Sequence, residues 1–308
     1  MKKVIISCAI TGGIHTPTMS DYLPISPADI ATQSIDAVKA GASIIHLHAR
    51  NPQTGQPTGD PAVYGQFLPL IKQQCEGVIN LTTGGSPTMA VEERLAAARH
   101  FQPEVCSMNM GTMNFGLFPM AARYSNWKHD WEEPYLLESD DFVFRNSFRD
   151  IDYAVKTLSE TGTKFEHECY DVSHLYNLAH FVDKGVVKPP FFIQMIFGIL
   201  GGIGASIDNL NFMKEKADEL FGKGAYEWSV LGAGRHQIPL ATHAALMGGH
   251  LRVGLEDSLF ITRGELAKSN AEQVAKIVRI LTELGIEIAT PDEARTTLGL
   301  KGSDQVNF

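Results

Sequence analysis

"SIIHLHARNP", residues 43–52, is the stretch on which the reading of the fold turns. In a strand, side chains alternate between two faces, so His46, His48 and Arg50 share one side and Ile45, Leu47 and Ala49 the other. An apolar back packs on helices. A purely polar front needs a place where polar groups are wanted. Similar short apolar runs recur at 3–9, 78–82, 104–109, 164–169, 191–197, 226–231 and 251–255, making eight with 43–49. Helix-like stretches fall between them, at 27–40, 61–75, 89–100, 148–161, 172–184, 207–221, 238–248 and 270–284. Eight βα units in a chain of 308 residues predict one (β/α)8 TIM barrel domain spanning 1–308. A doubly wound open sheet is the runner-up, disfavoured by the count of eight and by the lack of a GxGxxG opening.

One segment breaks the rhythm. Residues 115–147, rich in aromatics and charges, are long for a βα connection, and long loops in compact domains are often functional or interfacial. A capping or subunit-contact insertion is the expectation here, ahead of a catalytic one.

Barrel parity can be tested on each strand, because outward side chains must be apolar to meet the helices. The test turns Asn80 and Thr82 inward, with Ser107 and Asn109, Glu166 and Glu168, Gln194, and Arg252, Gly254 and Glu256. His167 makes the outward face of its strand imperfect. Any one buried Asn or Thr usually just satisfies a neighbour. Polar groups repeated near the C-terminal ends of five strands are harder to assign to packing, since barrel interiors are normally apolar and barrel sites lie at that face.

His46 and His48 are spaced to share one divalent metal, and for an isolated HxH the equal alternative is a pair of satisfied core histidines. Glu256, at the end of the last strand, supplies a third ligand and leaves a position open for substrate, as in catalytic zinc sites. The same triad suits Fe(II), Mn or Co. In "LRVGLED" (251–257), Arg252 and Asp257 form either a tuned acid–base pair or a structural salt bridge.

Composition excludes other classes. The chain is 44% hydrophobic with a formal net charge of −9, which gives no nucleic-acid surface but permits a local anion site. The four cysteines are scattered without a CxxC pair, as in a reducing compartment. The apolar run after "MKK" and the run "PPFFIQMIFGILGGIG" are too short for a membrane span, and a cytoplasmic protein is expected.

The segments "AITGG", "GASIIHLHAR", "LTTGG", "SMNMGTMNFG", "LGAGRHQIP", "GGHLRVGLED" and "AKSNAEQVAKI" together resemble the β-keto acid cleavage enzyme family, in order, from about residue 5 to about 295. The resemblance implies a zinc-binding (β/α)8 barrel, usually a homo-oligomer (dimer or tetramer). It implies that a β-keto acid and acetyl-CoA give acetoacetate and a new acyl-CoA. It makes His46, His48 and Glu256 the metal ligands, one zinc per chain, and Asp257 the base, which Arg252 is expected to hold ionised with a low pKa. Thr82 keeps the hydroxyl of the family's "STGG" form, and Ser107, Asn109 and Glu168 match inward site positions. Arg50 is a further candidate substrate contact. Members that act on amino-bearing keto acids carry an acid shortly after the first "TG"; here Ile14 stands there, followed by His15, so a neutral or anionic tail is expected unless Glu132 or Asp140 of the insertion reaches the pocket. For CoA, the Gly-rich turns "GILGGIGAS" (198–206) and "LGAGRHQ" (231–237), with Gly234 and Arg235, are candidates because turn N–H groups bind phosphates. The competing enzyme class is a metal-dependent amidohydrolase, also an HxH barrel. Against it, HxH lies on the second strand, the sixth has no histidine, and His167 faces outward. A non-catalytic binding barrel is the third reading.

Overall fold

The structure, a computed structural model, describes residues 2–85 and 89–308. Eight parallel strands close into a barrel in chain order: β1 (Ile6–Ala9), β2 (Ile44–Leu47), β3 (Val78–Leu81), β4 (Val105–Asn109), β5 (Lys164–Cys169), β6 (Phe192–Phe197), β7 (Glu227–Gly232) and β8 (His250–Val253), with β8 paired to β1. Each matches an expected run to within a few residues. The expected helix at 61–75 is two, Pro61–Tyr64 and Leu68–Gln74. Pro69 explains the break: it has no N–H to continue a helix and is tolerated only in a first turn. Among the described residues no helix is long and apolar enough to cross a membrane. All four cysteines are free.

The barrel is layered. Outward residues such as Ile45, Leu47, Ile79, Met108, Ile193 and Val253 join the large core between strands and helices. Inside, Ile5, Ile44, Val78, Val105 and Phe192 form an apolar plug, closed by Ala289, Ala294 and Leu298. One face-repeat further along the strands the interior becomes polar: Ser7, Asn80, Ser107, Glu166, Gln194, Ser229 and Arg252 are all buried. The parity reading of these strands therefore agrees with the fold. Stability resides in the outer shell and the plug, while the upper interior is given over to polar groups.

The insertion starts from a short hairpin, Met113–Asn114 paired with Val143–Phe144. Between lie two 3-10 turns and the helix Glu132–Leu137.

Because Phe192 is nearly fully buried in the plug, Phe192→Ala is expected to cost about 3–5 kcal/mol, a large-to-small core loss. The measurement is the shift in denaturant midpoint; a change below about 1 kcal/mol would mean that the plug contributes little.

Candidate metal and substrate site

His46 ends the inward face of β2, and His48 follows just past the strand. Glu256 reaches them by a kink at Gly254, where φ is +144° and a Cβ would stand 2.0 Å from the Ala9 carbonyl oxygen. Gly12 is equally constrained: φ is +60°, and a Cβ would stand 2.2 Å from Glu256 Cγ. Glu256 Oε1 lies 3.6 Å from His46 Nε2 and 3.5 Å from His48 Nε2, long for hydrogen bonds. One ligand atom from each of the three lies within 4.8 Å of the others. Glu256 Oε2 and His46 Nδ1 are buried without a hydrogen-bond partner among the described residues. Burial lowers the His46 imidazole to about 4, which keeps it neutral as a metal ligand must be.

Charge also favours a cation here. Arg252 bonds Asp257 through both Nε (2.9 Å) and Nη2 (2.8 Å). Its Nη2 also donates to Glu256 Oε1 at 2.6 Å, and Nη1 lies 3.8 Å from Glu168. Below, Gln194 links Arg252 to Glu166, whose two oxygens accept from Asn80 and Gln194 at 2.7 Å each. One buried guanidinium thus serves four buried carboxyl groups. Burial pushes Glu166 up to about 7 and Glu168 up to about 8. For Glu256 burial acts upward too, but Arg252, His48 and His46 outweigh it and hold this carboxylate well below the usual range. A divalent ion against His46, His48 and Glu256 fits both the donor set and the excess of acid.

Asp257 corrects an expectation. Its pKa is not low: burial outweighs Arg252 and raises it to about 6. A base poised nearer neutrality transfers protons more readily than a strongly acidic one.

Arg50 corrects another. The strand ends at Leu47, and Ala49–Arg50 instead pairs antiparallel with Pro57–Thr58, so parity stops before Arg50. Arg50 is completely buried and donates to Thr11 Oγ1, Thr11 O, Gly55 O and His15 O. It anchors loops and does not line the pocket.

The other expected residues divide. A pocket is lined by His46, His48, Glu256, Thr82 and Glu168 together with Ile14 and several apolar and aromatic side chains. Thr82 Oγ1 accepts from Gly84 N, which leaves its own proton to donate. Asn109 pairs in register with Glu168 and is buried with both amide atoms unpartnered. Ser107 lies one layer lower, level with Glu166. Gly234 donates its N–H to the Asp257 carbonyl at 2.8 Å, and Arg235 stands exposed beside it; neither lines the pocket. His15 bonds Leu255 O through Nδ1, while His167 bonds Phe192 O on the outer face. Glu132 is buried against Thr18 and His129, and Asp140 is exposed, so neither acid lines the pocket.

The sequence reading missed the aromatic wall. Phe115, Leu117, Tyr135, Phe142 and Phe144 of the insertion line the pocket, with Tyr170 from the end of β5. The insertion, expected to be a cap or a subunit contact, contributes lining to the pocket itself. Its aromatic richness was the available signal.

Residues 3–300 match the family described as beta-keto acid cleavage enzyme. The chain is 59% identical over 307 residues to a 3,5-dioxohexanoate:acetyl-CoA acetone transferase of Paraburkholderia graminis, covering 100% of this chain and 99% of that one. It is 37% identical to a 3-keto-5-aminohexanoate cleavage enzyme of Fusobacterium nucleatum, covering 98% and 99%. Among solved structures, ObcA bound to oxaloacetate superposes with a TM-score of 0.69 at 19% identity, over 91% of this chain and 68% of that one, a likeness of fold. With the match running through every strand and through the His46–His48–Glu256 cluster, the chain belongs to the β-keto acid cleavage enzyme family.

Proposed function

We propose that this enzyme exchanges acyl groups between acetyl-CoA and a short β-keto acid whose far end is uncharged, releasing acetoacetate and the acyl-CoA of the keto acid's remainder. The observation that carries this reading is the make-up of the pocket: a metal-type triad backed by a clamped carboxylate, in a lining whose remaining side chains are mostly apolar and aromatic. The Paraburkholderia relative is named for 3,5-dioxohexanoate, whose tail is an uncharged acetonyl group. The same acid here would give acetoacetyl-CoA.

Zinc held by His46, His48 and Glu256 would supply Lewis acidity that lowers the cost of deprotonating the keto acid. Asp257 takes the proton from the carbon between keto and carboxylate groups. Arg252 fixes both oxygens of Asp257, so the base presents one geometry. The carbanion attacks the thioester carbonyl and CoA leaves as thiolate. The thiolate adds to the keto carbon of the original acid, and the C–C bond to the acetoacetate fragment breaks. Asp257 returns its proton to that fragment. Thr82, with a free hydroxyl proton, and Glu168, raised by burial towards its neutral form, donate hydrogen bonds to the oxyanions. Gly234 ties its turn to Asp257, which leaves the exposed Arg235 beside it as the cation for a CoA phosphate.

His46→Ala, His48→Ala and Glu256→Ala are each expected to strip the metal, because a three-ligand site loses most of its affinity with one arm gone. Elemental analysis of the purified variants is the check, and full metal content in His48→Ala sinks the assignment. Asp257→Asn is expected to retain metal and lose turnover by about a hundredfold or more; activity within severalfold of wild type makes Asp257 structural. In a panel of β-keto acids with acetyl-CoA, followed by acetoacetate release, neutral tails are expected to give the highest kcat/KM. Ile14→Glu is expected to move preference toward an amino-bearing acid, since specificity is a difference of two affinities. Wild-type preference for the amino acid substrate with no response in Ile14→Glu overturns the placement of the tail.

A further inference from the structure

Part of the pocket wall comes from two loops tied to each other. Gly13 and Ile14 come from the loop after β1, and Tyr135 from the insertion. The Tyr135 hydroxyl donates to the Gly13 carbonyl oxygen at 2.7 Å. Burial raises this phenol to about 12, so it stays a donor near neutral pH. Neighbouring insertion residues hold the contact in place. Glu132 accepts from the Thr18 N–H and hydroxyl, Lys128 Nζ donates to Pro17 O, and Trp131 Nε1 donates to Thr54 O.

We propose that Tyr135 is a specificity-determining residue: its hydroxyl, committed as a donor to Gly13 O, takes one of that carbonyl's two lone pairs away from an ammonium-bearing tail. The inference rests on the reading that this site takes a β-keto acid with acetyl-CoA. An ammonium carries three donors and is strongly disfavoured where it meets no acceptor. Among the described residues lining the pocket, the only carboxylates are Glu256, in the His46–His48 cluster, and Glu168, which lies 3.8 Å from Arg252. Ile14 gives only apolar contact. Behind the loop, the Arg50 guanidinium is buried and bonded only to neutral oxygens, with no ion-pair partner among the described residues. Its positive charge, offset only at longer range by Glu256 and Glu132, further opposes a cation on that side. A neutral oxo tail meets none of these penalties.

Tyr135→Phe tests this, since it keeps the ring and removes only the hydroxyl that covers Gly13 O. Three six-carbon acids serve as probes with saturating acetyl-CoA: 3,5-dioxohexanoate (neutral), 3-keto-5-aminohexanoate (ammonium) and 3-oxoadipate (carboxylate). The ratio of kcat/KM for the ammonium acid to that for the neutral one is expected to rise about five- to tenfold in the variant, the net weight of one ordinary hydrogen bond. The carboxylate acid is expected to gain nothing, because the uncovered carbonyl repels it. An unchanged ammonium ratio overturns the proposal. So does an equal gain for both charged acids, which would report general loosening. Wild-type protein that converts none of the three overturns the proposal together with the reading beneath it, whereas conversion of the neutral acid with no response to Tyr135→Phe overturns the proposal alone.

Discussion

The Arg252 guanidinium is the interaction on which the site depends. It bonds Asp257 at two points and Glu256 at a third, and through Gln194 it touches the Glu166 layer below. Without it, several carboxyl groups would sit in the barrel interior with no cation to offset desolvation. Removing one partner of a buried ion pair typically costs about 3–5 kcal/mol. The pairing is also directional. A planar fork that grips both Asp257 oxygens fixes the plane of that carboxylate, which a lysine's point charge would not do.

That arrangement explains the layering. A barrel filled with branched apolar residues would be more stable but could not hold a guanidinium among four carboxyl groups. The chain confines the apolar plug to the N-terminal end, where Phe192 and its neighbours close against Ala294 and Leu298, and leaves the upper half polar. Neutralisation is shared out by position. Glu166 and Glu168, further from the direct grip of Arg252, are raised by burial, while Glu256, against Arg252 and two imidazoles, stays ionised.

Much of this was legible in the sequence, because alternation along a strand is a local property. Eight apolar runs carrying inward polar residues at Asn80, Asn109, Glu168 and Arg252 suffice for a barrel with a site at its C-terminal mouth. The readings that went astray depended on non-local facts. Arg50 looked like the third polar residue of a strand, but the strand had already ended, and a two-residue pairing with Pro57–Thr58 turned Arg50 into the loops. The raised pKa of Asp257 follows from the depth of its burial, which no spacing reveals. The role of Tyr135 required knowing that the insertion docks on a loop more than a hundred residues earlier in the chain.

The two ends of the pocket are mechanically joined through the loop after β1. Ile14 and Gly13 line the pocket, while Gly12 lies against the Glu256 side chain so closely that a single added carbon would collide with it. A shift of this loop that widened the tail end would therefore also move the backbone that backs a metal ligand. Because catalytic geometry tolerates displacements of only a fraction of an ångström, such a loop must be fixed from more than one side. Arg50 binds it from within through Thr11 and His15, and Tyr135 and Glu132 bind it from the insertion through Gly13 and Thr18. The density of polar contacts on an otherwise irregular segment is thus a requirement of the chemistry: selection of the tail and placement of Glu256 share one stretch of backbone.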